Sequence, residues 1–277
     1  MIAAVFPVIL VAAALHATWN AIIRGGEDRG LMTALITGSA AAIAVVGLPF
    51  LPPPARQSWP FLAGSAILSI SYYGLVAWTY RVAEMSRTYP LMRGAAPLLV
   101  AIASTTILRE PLRWQAWCGV AVICAGILGV AGNPLRSLDK GAGLAFLNAV
   151  VIAGYTMVDG AGVRQSGSAA AYTLWIFLLT GIPLTSWAII RRGQAFRACL
   201  GRNWRLGIVG GASTTASYGL ALWAMTLVPV AIVAALRETA ILFGVLISVI
   251  FLREPVGPGR VTAAALIAAG AALLRAG

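Results

Sequence analysis

The chain has 277 residues, of which 60% are hydrophobic and 10% charged, and its mean hydropathy is +0.89. Soluble globular chains carry about 45–50% apolar and about 25% charged residues, so this composition cannot cover a water-facing surface. It excludes a soluble enzyme, a disordered chain and a secreted disulfide scaffold. The net charge of +12, from 20 Lys+Arg against 8 Asp+Glu, falls in short connections between apolar runs. That placement fits a membrane-orientation signal and not a nucleic-acid surface.

A membrane-spanning helix needs about 20 largely apolar residues. Hydropathy predicts such helices at 2–23, 31–51, 59–80, 88–108, 112–132, 140–160, 169–190, 205–227, 229–252 and 257–275. The first run has no basic leader and nine more follow, so it is expected to be an uncleaved helix and not a signal peptide. The breaks carry turn chemistry: Gly25-Gly26-Glu27-Asp28, Pro52-Pro53-Pro54, Gly132-Asn133-Pro134 and Gly257-Pro258-Gly259. The expected fold is an all-α membrane protein of ten transmembrane helices, with the lipid bilayer as its principal partner.

Orientation follows from the basic residues. The face shared by the termini and the connections after helices 2, 4, 6 and 8 holds 5 of them, Arg56, Arg109, Arg113, Arg164 and Arg275, against 13 on the opposite face. Positive residues mark the cytoplasmic side, so both termini are expected away from the cytoplasm. Cys118, Cys124 and Cys199 lack metal-ligand spacing, and there is no P-loop, GxSxG, HExxH or CxxC. No cofactor, no metal and no enzymatic activity are expected.

The sequence repeats internally. Residues 93–111 read RGAAPLLVAIASTTILREP and residues 237–255 read RETAILFGVLISVIFLREP, so Arg93 and Arg237 each precede a Leu-Arg-Glu-Pro by 15 residues. Gly126 and Gly270 keep the same offset of 144. Tyr73-Gly74-Leu75 with Trp78 matches Tyr218-Gly219-Leu220 with Trp223 at one residue more. Two halves are expected, 1–134 and 140–277, each of five spans. An odd number of spans inverts the second half in the bilayer, an architecture used by secondary transporters.

This pattern resembles the EamA-type transporters of the drug/metabolite transporter superfamily. The resemblance rests on the five-plus-five helices, Pro97, Glu110, Glu254, Gly126 and Gly270, and on three stretches. These are His16-Ala17-Thr18-Trp19-Asn20, Tyr89-Pro90-Leu91-Met92-Arg93-Gly94 and Ala234-Ala235-Leu236-Arg237-Glu238-Thr239. It implies a bacterial inner-membrane exporter of amino acids, aromatic ones included, or of other small metabolites. Two features depart from the superfamily: the first helix has His16 and no acid where small multidrug members carry a Glu, and Ile241 stands opposite Pro97 in the second half. A drug or cationic-metabolite antiporter stays open as an alternative, as do a membrane-embedded structural subunit and a lipid-modifying enzyme.

Charge inside a bilayer costs about 2.5–3.5 kcal/mol at the centre, so each such residue needs a reason. Arg93 and Arg237 fall roughly one turn from the middles of helices 4 and 9. Either they hold a substrate carboxylate through a bidentate fork, or each pairs with a fixed acid, Glu238 or Asp159. His16, Trp19 and Asn20 share one face of helix 1, and Asn148, Tyr155 and Asp159 share one on helix 6, with Asp159 expected near the membrane boundary. Tyr73, Trp78, Tyr218 and Trp223 lie deep enough in their spans to be candidate cavity walls, and Tyr89 is placed with them. Glu110 and Glu254 precede Pro111 and Pro255, where a carboxylate meets a positive helix end.

Overall fold

The computed structural model describes residues 2–130, 140–250 and 257–276. Glu254 and the second Leu-Arg-Glu-Pro lie outside the described residues, as does the turn at Gly132-Asn133-Pro134. The described residues form helices and turns and contain no strand. In order they are α1 (Ile2–Gly25), α2 (Arg29–Gly47), α3 (Trp59–Val82), α4 (Met85–Thr106), α5 (Trp114–Val130), α6 (Lys140–Gln165), α7 (Ala169–Met225), α8 (Val230–Arg237), α9 (Ala240–Ile250) and α10 (Pro258–Ala276). Short 3₁₀ turns, Leu48–Phe50 and Arg56–Ser58, join α2 to α3. Seven helical stretches among the described residues are long and apolar enough to cross a membrane.

Local chemistry sets the boundaries. Asp28 caps α2, its side chain accepting from the Leu31 amide at 3.0 Å, and Ser168 caps α7, accepting from Ala171 at 3.2 Å. Each cap satisfies one of the orphan amides of a helix start. Within α4, Pro97 has no N–H to offer the carbonyl four residues back, which is that of Arg93.

Two helices differ from their predicted form. The region from 191 to 204, predicted as a connection, is helical, and α7 runs through it with one break at Arg192 (φ −141°, ψ 36°). Phe196 and Cys199 explain this, since they are buried against Leu31, Met32 and Leu35 of α2 and give the segment an apolar face. The predicted helix 229–252 is instead interrupted after Arg237. At Glu238 and Thr239 the backbone tightens to i→i−3 hydrogen bonds, Thr239 N to Leu236 O at 3.1 Å and Ile241 N to Glu238 O at 3.0 Å. The Thr239 hydroxyl also donates to the Leu236 carbonyl at 2.7 Å, a local bond that bends helices. Short 3₁₀ stretches inside helices commonly mark hinges.

The packing pairs the two halves reciprocally. Helix α2 lies against α7, and α5 against α10. Helix α3 on α6 is matched by α1 on α7, and α4 on α6 by α1 on α9. The α5–α10 seam depends on small residues: a methyl on Gly270 would stand 2.7 Å from the Gly119 carbonyl oxygen, and one on Gly119 would stand 2.9 Å from that of Gly270. Such backbone proximity is how helices associate where lipid offers no hydrophobic drive. The largest core joins Val100, Ile123 and Ile127 to Leu222, Val233, Leu236 and Ile267, tying α4 and α5 to the second half.

Candidate functional site

A buried cavity lies where the broken helix meets α4 and α6. Its walls are Arg93, Pro97 and Val100 from α4, Tyr155 and Thr156 from α6, and Ala234, Arg237 and Glu238 from α8 and the break. Its volume is about 20 Å³. One water needs about 10–15 Å³, so this space has room for a water or two.

Three charged side chains meet there. Arg93 pairs with Glu238 at 2.9 Å, with side-chain exposures of 11% and 7%. Arg237 stacks its guanidinium over the Tyr218 ring at 5.0 Å, and among the described residues no carboxylate lies within ion-pairing distance of it. The Nε of Arg93, the Nε of Arg237 and Oε2 of Glu238 are buried without a hydrogen-bond partner among the described residues. Polar atoms left bare in this way are costly, and they cluster at one point.

Beside this group, Asp159 accepts hydrogen bonds from Tyr218 at Oδ2 and from Tyr172 at Oδ1, the latter at 3.2 Å. Asp159, expected near the membrane boundary, is fully buried, with Tyr172 and Tyr218 of α7 on its two oxygens. Tyr218 therefore touches both charges, holding Asp159 with its hydroxyl and Arg237 with its ring face. Tyr72, Tyr73 and Tyr155 form an edge-packed aromatic group, with ring centroids 5.5 and 6.1 Å apart, and Tyr89 packs in the same cluster as Tyr72 and Tyr155.

The remaining sequence candidates are placed as follows. His16 packs edge-on against Trp19 at 5.0 Å, and Asn20 donates to the His16 carbonyl at 2.8 Å, so the three form a local group on α1. They do not line this cavity, although His16 is within electrostatic reach of both Arg93 and Arg237. Trp78 and Trp223, expected as cavity walls, are 47% and 42% exposed. Neither lines the cavity between α4, α6 and α8, and Lys140 lies 5.6 Å from the Trp78 ring. Asn148 bonds Thr79 at 2.9 Å and so ties α6 to α3.

Glu110 also differs from its expected place. It does not begin α5, which starts at Trp114, but reaches across to the second half and accepts from the Val230 amide at 3.0 Å, at the start of α8. It accepts from Ser104 and pairs with Arg164 as well. Sequence reasoning did not single out Tyr72, Tyr172 or the Arg164–Glu110 pair, since nothing in spacing marks which tyrosine meets which acid.

The chain matches the EamA-like transporter family over residues 4–132 and again over 139–276. It belongs to that family, and it is a multi-pass membrane transporter of small solutes built from two EamA repeats. It is similar to the uncharacterized protein y4nH of Sinorhizobium fredii (strain NBRC 101917 / NGR234), with 31% identity over 85 residues covering 29% of this chain and 73% of that protein. Its fold is similar to that of a protein of known crystal structure, with a TM-score of 0.78 at 20% identity, covering 98% of this chain and 96% of the other.

Proposed function

We propose that the protein is a secondary transporter that exports small carboxylate-bearing metabolites, amino acids foremost and aromatic ones among them, by alternating access. One observation carries this reading: Arg237 is a guanidinium inside the bundle, on the cavity wall, with no carboxylate of its own among the described residues. A substrate carboxylate bound to it by two parallel hydrogen bonds would supply the missing charge. Opposite, the bare Oε2 of Glu238 offers an acceptor for an ammonium group. The tyrosine group of Tyr72, Tyr73 and Tyr155 supplies an aromatic wall beside Arg93.

In this reading α7 crosses the membrane twice, joined at Arg192, and α8 with α9 forms one broken crossing. The total is ten crossings, five in each half, with the second half inverted and both termini on the non-cytoplasmic side of a bacterial inner membrane. Broken helices at the repeat interface are where such transporters place their substrates. The experiment is counterflow of a radiolabelled amino acid in liposomes holding the purified protein, with competition by amino acids, their amides and cationic drugs, with and without a pH gradient. Saturable flux blocked by free amino acids and not by their amides is expected. Competition by cations alone, with sensitivity to loss of Asp159 or Glu238 and indifference to loss of the arginines, would replace this reading by a cationic-metabolite antiporter.

A further inference from the structure

Glu110 and Arg164 join the ends of the three elements that line the cavity. Glu110 follows α4, Arg164 lies in the last turn of α6, and the Val230 amide that Glu110 accepts begins α8. Arg164 also donates through Nε to the Met225 carbonyl at 2.7 Å and through a terminal nitrogen to the Val228 carbonyl at 3.2 Å. One carboxylate and one guanidinium thus satisfy the N-terminus of α8 and the C-terminal turn of α7 together.

The backbone presents Glu110 to this cluster at a cost. Arg109, immediately before it, has φ +55°, the left-handed region that a side-chain-bearing residue enters only when its surroundings hold it there. On the same face the Ala55 amide donates to the Ser166 carbonyl at 2.9 Å, so the connection after α2 is fastened to the end of α6 as well. From this cluster to the cavity is about 10–12 Å along each helix, given 1.5 Å per residue from Val230 to Arg237 and from Arg164 to Thr156.

We infer that the Glu110–Arg164–Val230 cluster is the gate on the face of the membrane that carries the termini, and that its release opens the cavity to that side. The inference rests on the reading of that cavity as the alternating-access site. Partners just after α4, in the last turn of α6 and at the start of α8 at one end, and the substrate groups on the same three elements at the other, make the gate and site move as one unit. Arg164 has a side-chain exposure of 31%, so water from this face reaches the pair first.

The test reads accessibility and needs no substrate. In a chain with Cys118, Cys124 and Cys199 replaced by serine, Thr156→Cys places one thiol on the cavity wall. A membrane-impermeant maleimide is added from either side of sealed vesicles, with a C-terminal tag reporting which side carries the termini. Glu110→Gln is expected to raise the labelling rate at least tenfold from the termini side and leave the opposite side unchanged. Arg164→Gln removes the same pair from its other end and should do the same, which keeps the test decisive if one variant fails to fold. Unchanged labelling from the termini side in the folded variants, or a rise from both sides alike, would overturn the gate. Failure of amino-acid counterflow with the labelling shift intact would overturn the substrate reading and leave the gate standing.

Discussion

Arg93 of α4 and Glu238 at the break after α8 meet at 2.9 Å, so one buried ion pair joins the two halves of the sequence at the cavity. The pair accounts for one of the two intramembrane arginines and leaves the other outside it. Glu238 binds Arg93 through Oε1 only, and Asp159 has both oxygens taken by tyrosine hydroxyls. Arg237 is therefore left to an aromatic face, a weaker hold than a carboxylate.

The Arg93–Glu238 pair should show strong coupling. Removing one partner of a buried pair leaves the other charged and unpaired, at a cost of about 3–5 kcal/mol, whereas removing both is often close to neutral. Arg93→Met and Glu238→Met are each expected to lower the thermal unfolding midpoint in detergent well below that of the double variant. Additive losses would show that the two side chains do not support each other.

The two tyrosines on Asp159 should separate stability from transport. Tyr172→Phe and Tyr218→Phe each strip one hydrogen bond from a buried carboxylate, at a cost of about 1–3 kcal/mol measured by thermal unfolding. Only Tyr218 also holds Arg237. Tyr218→Leu, which removes the ring face as well as the hydroxyl, should therefore change the half-saturating substrate concentration in counterflow, while Tyr172→Phe alters unfolding alone.

Much of this was legible in the residues, and what was not has identifiable causes. The paired intramembrane arginines and the doubled EamA pattern stood out because charge is rare in apolar runs and the Leu-Arg-Glu-Pro register repeats. The break at Glu238–Thr239 was hidden, since it has no proline or glycine and Arg237 and Glu238 read as charges inside one long apolar run. The helix across 191–204 was hidden because Arg191, Arg192, Arg197 and Arg202 mask a face carried by only Phe196 and Cys199.

Outside the spans, Asp28 sets an acid-sensitive contact. Burial pushes its carboxyl up, but the Leu31 amide, the Arg192 hydrogen bond and charge and the Gly30 amide outweigh that and hold it below its ordinary value. A carboxylate depressed by folding stabilises fully above its unfolded value and loses that contribution as pH falls through the folded one. The ion pair with Arg192, at 2.5 Å, should thus hold through neutral pH and fade only below the usual aspartate range. Asp28→Asn keeps the helix cap and removes the charge. Thermal unfolding between pH 7 and 3 should show an acid-dependent loss in the native chain that the variant lacks.

The α5–α10 seam has no room for a methyl group. Gly270→Ala would set a carbon 2.7 Å from the Gly119 carbonyl oxygen, a backbone atom that cannot turn aside. Overpacking of this kind costs about 1–3 kcal/mol. A lower unfolding midpoint is expected for Gly270→Ala, and none for Gly129→Ala, whose added carbon meets nothing within 4 Å.

Amino-acid counterflow in liposomes holding Arg237→Gln beside the native protein tests whether Arg237 anchors a substrate carboxylate. Loss of hydrogen bonds to a charged group is worth about 1.5–3 kcal/mol, which is roughly tenfold or more in apparent affinity. The variant is expected to lose at least that much affinity for the amino acid and to stop distinguishing it from its amide. A folded Arg237→Gln protein that carries the amino acid with native affinity, still preferring it over the amide, would contradict the claim.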